Sequence, residues 1–296
     1  MITALISRKG GVGKTTTAVN LSAAIAGVGK RVLLIDLDSQ ASASISLGAS
    51  RSALAPSIAD VLLYSAAVKP LVRQTGHAGM DLITGSIDLT SVDQELARLP
   101  GREERLRTAL APLRQEYDFI ILDCPPSFSL VSVNALVAAD NYVLPTVPQY
   151  LSLTGIDGLI ATVSRLTDKC GVRPELLGIV LTLVDYRTRA SRKNVEKIRE
   201  RYGSSVFAME IRTNIRLAEA PERGQTVFQY DPTSTGARAY KLLAGELLMR
   251  GRAQRVHREE SKRRQDYERE RRERRGEPLP LAEVLALSDL RRSSGH

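Results

Sequence analysis

Residues Lys9-Gly10-Gly11-Val12-Gly13-Lys14-Thr15-Thr16 place three glycines, two lysines and two hydroxyls in a row, directly behind the apolar run Ile2–Ser7. A Gly-rich turn between a strand and a helix exposes successive backbone N–H groups, and the helix N-terminus adds positive potential. Glycines let the main chain approach phosphate oxygens without a Cβ in the way. In such a turn Lys14 reaches the β and γ phosphates of a nucleotide, and the Thr15 hydroxyl is a ligand for Mg²⁺. The alternative, a turn that only joins two elements, leaves the ordered succession of strand, Gly-Lys-Thr and helix unexplained.

The elements that must hold this turn are legible as alternating periods. Apolar runs of strand length occur at Ile2–Ser7, Arg31–Asp36, Met80–Thr84, Phe119–Asp123, Tyr142–Thr146, Leu176–Val184 and Val206–Ile211. Helical spacing marks Thr16–Ala26, Glu103–Arg114, Ser152–Thr167, Arg192–Arg201 and, as the last helix of the globular part, Thr235–Met249. Strands alternating with helices predict an α/β fold, a mostly parallel twisted sheet flanked by helices. Two strands end in acids, at Asp36-Leu37-Asp38 and at Asp123. An acid at the carboxyl end of a parallel strand faces the crevice where ligands bind, although a lone one also serves as a helix N-cap.

Five positions before the Gly13-Lys14 pair, where an ordinary P-loop has glycine, stands Arg8, and the extra lysine Lys9 precedes the two glycines. This deviant loop resembles that of the ParA/MinD group of deviant Walker ATPases. Arg31-Val32-Leu33-Leu34-Ile35-Asp36-Leu37-Asp38-Ser39-Gln40 resembles the second motif of ParA, and Phe119-Ile120-Ile121-Leu122-Asp123-Cys124-Pro125-Pro126 looks like its Walker B segment. The similarity continues through Gly178–Thr182, Asn214–Pro221, Tyr230-Asp231-Pro232 and Gly236-Ala237, covering roughly residues 2 to 249, most closely the Soj type. The resemblance implies ATP and Mg²⁺ as cofactors and an ATP hydrolase that is weak until DNA and a partner stimulate it. It assigns Lys9 to the phosphates of the partner in a nucleotide-sandwich homodimer, Asp38 to the attacking water, Asp123 to Mg²⁺ through water, and Asn214 to the neighbourhood of the adenine. The sequence departs from the family pattern at Ser7-Arg8 (usually Asn-Gln), Ser39 (usually Pro) and Arg212-Thr213 (usually Pro-Arg).

The chain has 296 residues, a net charge of +9 and only 13 aromatics, none of them Trp. A basic balance points to an anionic partner. Few aromatics argue against stacking on single strands, while duplex phosphates need only Lys and Arg. The resemblance implies non-specific duplex DNA binding by the ATP-bound dimer, and it places Arg187 and Arg216 at DNA-contacting positions. Arg189, Arg192, Lys193, Lys197 and Arg223 lie near them in sequence, with a solvated basic face as the plainer reading. The implied function is partitioning of a chromosome or plasmid, or positioning of a protein cargo, with release on hydrolysis stimulated by a ParB-like partner. No DNA-reading domain is expected before the loop.

Charge divides the chain. Residues 250–275 carry a net +6 and 276–296 a net −1, leaving +4 on residues 1–249. We therefore expect an ATPase domain at 1–249 and a charge-rich extension at 250–296, helical or disordered, which either is solvated or serves as an auxiliary DNA arm. Leu281-Ala282-Glu283-Val284-Leu285, after Pro278 and Pro280, has apolar residues at helical spacing. No run is apolar enough to span a membrane, two cysteines cannot build a disulfide scaffold, and no leader is expected. These features predict a cytoplasmic protein, and the resemblance implies that it is nucleoid-associated, without a membrane partner. Competing classes are a MinD-like membrane-site ATPase, an iron-cluster protein using Cys124 and Cys170, and a tyrosine kinase, whose tail would need more than the single Tyr267.

Overall fold

The computed structural model describes residues 1–275; the segment around 281–285 lies outside them. Chain contacts separate a body, Met1–Leu248, from a second unit that begins at Met249. The strands are β1 (Ile2–Leu5), β2 (Val32–Asp36), β3 (Arg73–Gln74), β4 (Met80–Ile83), β5 (Phe119–Asp123), β6 (Asn141–Thr146) and β7 (Glu175–Leu181). The helices are α1 (Lys14–Ala26), α2 (Ser42–Ser46), α3 (Ile58–Tyr64), α4 (Leu89–Leu96), α5 (Arg105–Leu110), α6 (Leu130–Ala138), α7 (Ser152–Lys169), α8 (Arg189–Tyr202), α9 (Ile215–Glu219), α10 (Val227–Tyr230) and α11 (Thr235–Arg275).

The strands form one sheet in the order β3-β4-β2-β5-β1-β6-β7, parallel throughout except for β3 against β4. The central strands are continuous apolar runs because helices cover both faces. Side chains alternate between the faces. Leu33, Ile35, Ile120 and Leu122 pack into one core with α3 to α8. Val32, Leu34 and Ile121 pack into the other, with α1 and with Tyr240, Leu243 and Leu247 at the start of α11. The register brings three strand ends together, since Leu5 of β1 and Asp36 of β2 both stand opposite Asp123 of β5.

Three sequence expectations change. Val206–Ile211 is not a strand. It meets the neighbouring strand at isolated bridges, Ile179 with Val206 and Val184 with Arg212, and through the Ile211 amide, which donates to the Leu181 carbonyl at 2.8 Å. Between them the carboxylate of Glu246 takes the backbone N–H groups of Ala208 (2.9 Å) and Met209 (3.2 Å), which removes them from any ladder. Glu103–Arg114 is not one helix, because α5 gives way to a 3₁₀ turn, Pro112–Gln115. Proline has no N–H to donate and its ring clashes with the preceding helical turn. The last helix of the globular part, read as Thr235–Met249, does not end there: it is continuous with the extension, for which a helix is one of the two expectations, and runs as α11 to Arg275, with i,i+4 support such as Arg255 Nε to Glu259 Oε1 at 3.0 Å. Among the described residues no helix is long and apolar enough to cross a membrane.

Candidate nucleotide site and basic surface

The turn between β1 and α1 has the geometry of an anion cradle. Gly13 sits at the N-cap of α1 in the left-handed region (φ 74°), and no side chain caps the helix there. α3, α6, α8, α9 and α10 are each capped by their own Ser57, Ser129, Thr188, Asn214 or Thr226, whereas α2, α4, α5 and α7, like α1, have no side-chain cap. An uncapped helix start leaves backbone donors for a ligand. Two hydroxyls clamp the turn. Thr17 donates to the Gly13 carbonyl (2.7 Å), and Thr182, just after β7, donates to the Val12 carbonyl (2.7 Å). Thr17 is itself within 3.2 Å of the buried Tyr240 hydroxyl.

Lys14 projects from the first turn of α1 onto the end of β5, where its Nζ lies 2.7 Å from Asp123 Oδ1. Both side chains are buried, at 7% and 0% exposure. Burial pulls the Lys14 ammonium down, but the charges around it, Asp123 foremost and then Cys124 and Asp38, hold its pKa above the ordinary value. The other carboxylate oxygen of Asp123, Oδ2, is buried and has no hydrogen-bond partner. Such an orphan is costly unless something satisfies it. A cation, or water held by one, could satisfy it, and Asp123 and the half-buried Thr15 are the residues that could hold it.

Sequence reasoning weighed Asp38 and passed over its neighbour Asp36. Asp36 is fully buried, and its pKa is pushed up to about 7 by burial and by Asp123 across the strand pair. It accepts from the Ser44 amide (2.8 Å), the Ser44 hydroxyl (2.7 Å) and the Asp38 amide (3.2 Å). Asp36 thereby fixes the backbone that carries Asp38, which is half-buried and accepts from the Gln40 amide at 3.0 Å. Gly85 was also missed. A Cβ there would lie 2.8 Å from the Asp38 carbonyl oxygen and 2.9 Å from that of Asp36, so only glycine fits behind this turn. The Asp-Leu-Asp spacing and strand register could have pointed to Asp36; no local signal marks Gly85.

Lys9, Gly10 and Gly11 are exposed on the turn, and Thr16 is half-buried beside Thr15. Lys9 Nζ donates to the side-chain oxygen of Gln149 in the loop between β6 and α7. Beside it a cavity of about 460 Å³, mostly apolar, is lined by residues including Val12, Leu144, Leu151 and Ile156. The Asn214 side chain is occupied within the fold. It caps α9 by accepting from Arg216 N (2.9 Å) and Leu217 N (3.3 Å), and it donates to Thr235 Oγ1 (2.7 Å). Cys124 is buried, with burial pushing its thiol up to about 12, so it is a packing residue and not a reactive thiolate.

The candidate DNA residues lie on segments that leave one sheet edge side by side, joined by the Val184–Arg212 bridge. Arg187 is exposed and grips Asp185 with one edge of its guanidinium, Nε to Oδ1 at 2.9 Å and Nη2 to Oδ2 at 2.7 Å. Arg216 pairs with Glu219 (2.8 Å) and Asp231 (3.4 Å) and stacks 5.9 Å from the Tyr230 ring. Arg189, Arg192, Lys193 and Arg223 are exposed.

Residues 1–176 match the family described as an AAA domain. Over 250 residues the chain is 38% identical to the sporulation initiation inhibitor protein Soj of Bacillus subtilis, covering 84% of this chain and 99% of Soj. It is 38% identical over 253 residues to the chromosome partitioning protein ParA of Caulobacter vibrioides, covering 85% and 95%. A crystal structure of cobyrinic acid a,c-diamide synthase from Mycobacterium smegmatis, bound to an ATP analog and magnesium, is similar with a TM-score of 0.71 and 33% identity over 83% of this chain and 93% of that one. With the strand-turn-helix start, the Lys14–Asp123 pair and the Asp36–Asp38 turn in place, the chain belongs to the ParA/Soj branch of the ParA/MinD family of deviant Walker ATPases.

Proposed function

We propose that this protein is an ATP-driven positioning ATPase whose ATP-bound homodimer holds duplex DNA without sequence preference and releases it on hydrolysis. The observation that carries the reading is the buried Lys14–Asp123 pair under an uncapped helix start, with one oxygen of Asp123 left unsatisfied. ATP binds with its phosphates along Lys9, Gly10, Gly11, Val12, Gly13, Lys14, Thr15 and Thr16, with Asn214 near the base. Lys14 then exchanges part of its contact with Asp123 for the β and γ phosphates. Thr15 and Asp123 would hold Mg²⁺, which would supply charge neutralisation at the phosphates. Asp38, on a turn stiffened by Asp36, Ser44 and Gly85, positions the attacking water. Lys9 leaves Gln149 to reach the phosphates of a second copy, where it stabilises developing charge.

Dimerisation doubles the basic surface around Arg187 and Arg216, with Arg189, Arg192, Lys193 and Arg223 beside them. Counterion release at the duplex backbone supplies most of such an affinity. Hydrolysis, slow alone and stimulated by DNA and a ParB-like cargo adaptor, reverses the cycle. The setting is the cytoplasm, on the nucleoid, with a chromosome, plasmid or protein assembly as cargo. Residues 1–249 act as the ATPase domain and 250–296 as a basic extension. Charge reversal tests the surface. Arg187→Glu or Arg216→Glu should abolish DNA retention while ATP binding persists. Unchanged, salt-dependent retention in both variants contradicts the assignment.

A further inference from the structure

Beyond the end of β7 a groove of about 520 Å³ opens between the two segments joined by the Val184–Arg212 bridge. Three guanidinium groups line it, those of Arg187, Arg192 and Arg212, together with Tyr186. Tyr186 organises two of them. Its ring lies under the Arg212 guanidinium, 4.9 Å from the centroid, and its carbonyl accepts from Arg192 Nε at 2.7 Å. The ring is fixed in turn, because its hydroxyl donates to Glu210 Oε2 at 2.8 Å. Cations held this way lose less side-chain freedom when an anion arrives.

The carboxylates around the groove are not equivalent. Glu210 is shared, receiving Tyr186, Arg199 at 3.5 Å and Arg212 at 3.6 Å, so it leaves most of the charge on Arg212 unmatched. Asp185 is committed to one partner. Both of its oxygens take the same edge of Arg187, and among the described residues lining the groove it is the one carboxylate. Arginine forks onto a carboxylate and onto a phosphate with the same two parallel N–H bonds. Asp185 therefore covers the Nε–Nη2 edge of Arg187, one of the two edges on which a backbone phosphate can fork. The Arg187 side chain is 86% exposed, and exposed ion pairs are worth little net free energy, so a phosphate can displace the carboxylate.

We propose that Arg187, Arg192 and Arg212 form one phosphate-holding groove for the duplex DNA backbone, and that Asp185 gates it by occupying Arg187 until a phosphate takes its place. The proposal rests on the DNA-binding reading above and adds Arg212 as a contact and Asp185 as the residue that limits affinity. The repulsion between Asp185 and the backbone favours release once the second copy is lost, which suits a protein that must leave DNA after each turnover.

The test is equilibrium binding of the full chain, with ATP and Mg²⁺, to a short random-sequence duplex across a salt series. Asp185→Asn should bind several-fold more tightly, and the gain should vanish in Asp185→Asn/Arg187→Ala. Arg212→Ala should bind several-fold more weakly, with a salt slope shallower by about one per protomer, and Arg212→Lys should restore most of that slope. Wild-type affinity and slope in both Asp185→Asn and Arg212→Ala overturn the groove, as does a gain in Asp185→Asn that survives loss of Arg187. A parallel series with inorganic pyrophosphate separates the sources of phosphate: variants that shift pyrophosphate binding alone assign the groove to a free anion and overturn the DNA proposal. If Arg216→Glu abolishes retention while the Asp185 and Arg212 variants do nothing, the groove alone fails. If the wild type binds no duplex in any nucleotide state, the DNA-binding reading fails and the groove with it.

Discussion

Replacing Lys14 by Met keeps most of the apolar stem and removes the ammonium that lies 2.7 Å from Asp123 Oδ1. Asp123 then stays fully buried beside a second buried carboxylate, Asp36, with Oδ2 already unpartnered. Removing one member of a buried ion pair costs about 3–5 kcal/mol, because the remaining charge has lost its compensation. The nucleotide-free Lys14→Met protein should be destabilised by about that amount at pH 7.5. Asp123→Asn in the same chain removes the stranded charge, so Lys14→Met/Asp123→Asn should be less destabilised than the two single changes combined, with a coupling of about 2 kcal/mol. Urea denaturation followed by circular dichroism and by Tyr fluorescence measures both quantities without nucleotide. A Lys14→Met stability within about 0.5 kcal/mol of wild type, or strict additivity, refutes the view that this pair is a structural unit before it is a catalytic one.

Four further outcomes are expected. Asp36 has a folded-state pKa of about 7 against an ordinary value near 3.8, so the protonated form is favoured on folding. Its contribution to stability is therefore full below about pH 4 and is lost as pH rises to about 7; urea midpoints between pH 4 and 8 should show this decline in wild type and a flatter profile in Asp36→Asn. Gly85→Ala drives a Cβ to within 2.8 Å of the Asp38 carbonyl oxygen, and should cost about 1–3 kcal/mol of stability while slowing ATP turnover more than it weakens ATP binding. Asp38→Ala should lower turnover by about 10²–10⁴-fold with nucleotide affinity little changed, read by single-turnover hydrolysis beside a fluorescent-nucleotide titration. Thr182→Val removes the hydrogen bond to the Val12 carbonyl, and should cost about 1 kcal/mol in urea denaturation and raise the ATP Kd.

The sheet was legible because its central strands are buried on both faces and so read as unbroken apolar runs, and the turn because glycine and lysine spacing is local. What was not legible depends on contacts distant in sequence. Val206–Ile211 has strand composition, yet its amides go to Glu246, some forty residues later. Asp36 looks like any strand-end acid until Asp123 stands opposite it. Gly85 follows β4 with nothing around it to mark the close approach of Asp36 and Asp38. The resemblance assigns Arg187 to DNA, and the fold adds that Asp185, two residues before it, already holds its guanidinium. Local spacing thus nominates candidate residues, and packing decides which of their groups are already engaged within the fold.

The most direct measurement is retention of a random-sequence duplex by the wild-type chain with ATP, with ADP and without nucleotide, repeated with Lys14→Ala. Tight, salt-sensitive retention with ATP alone, absent in Lys14→Ala under all three conditions, is the expected result. Equal retention in all three nucleotide states, or undiminished retention by Lys14→Ala, contradicts a nucleotide-controlled DNA-binding cycle.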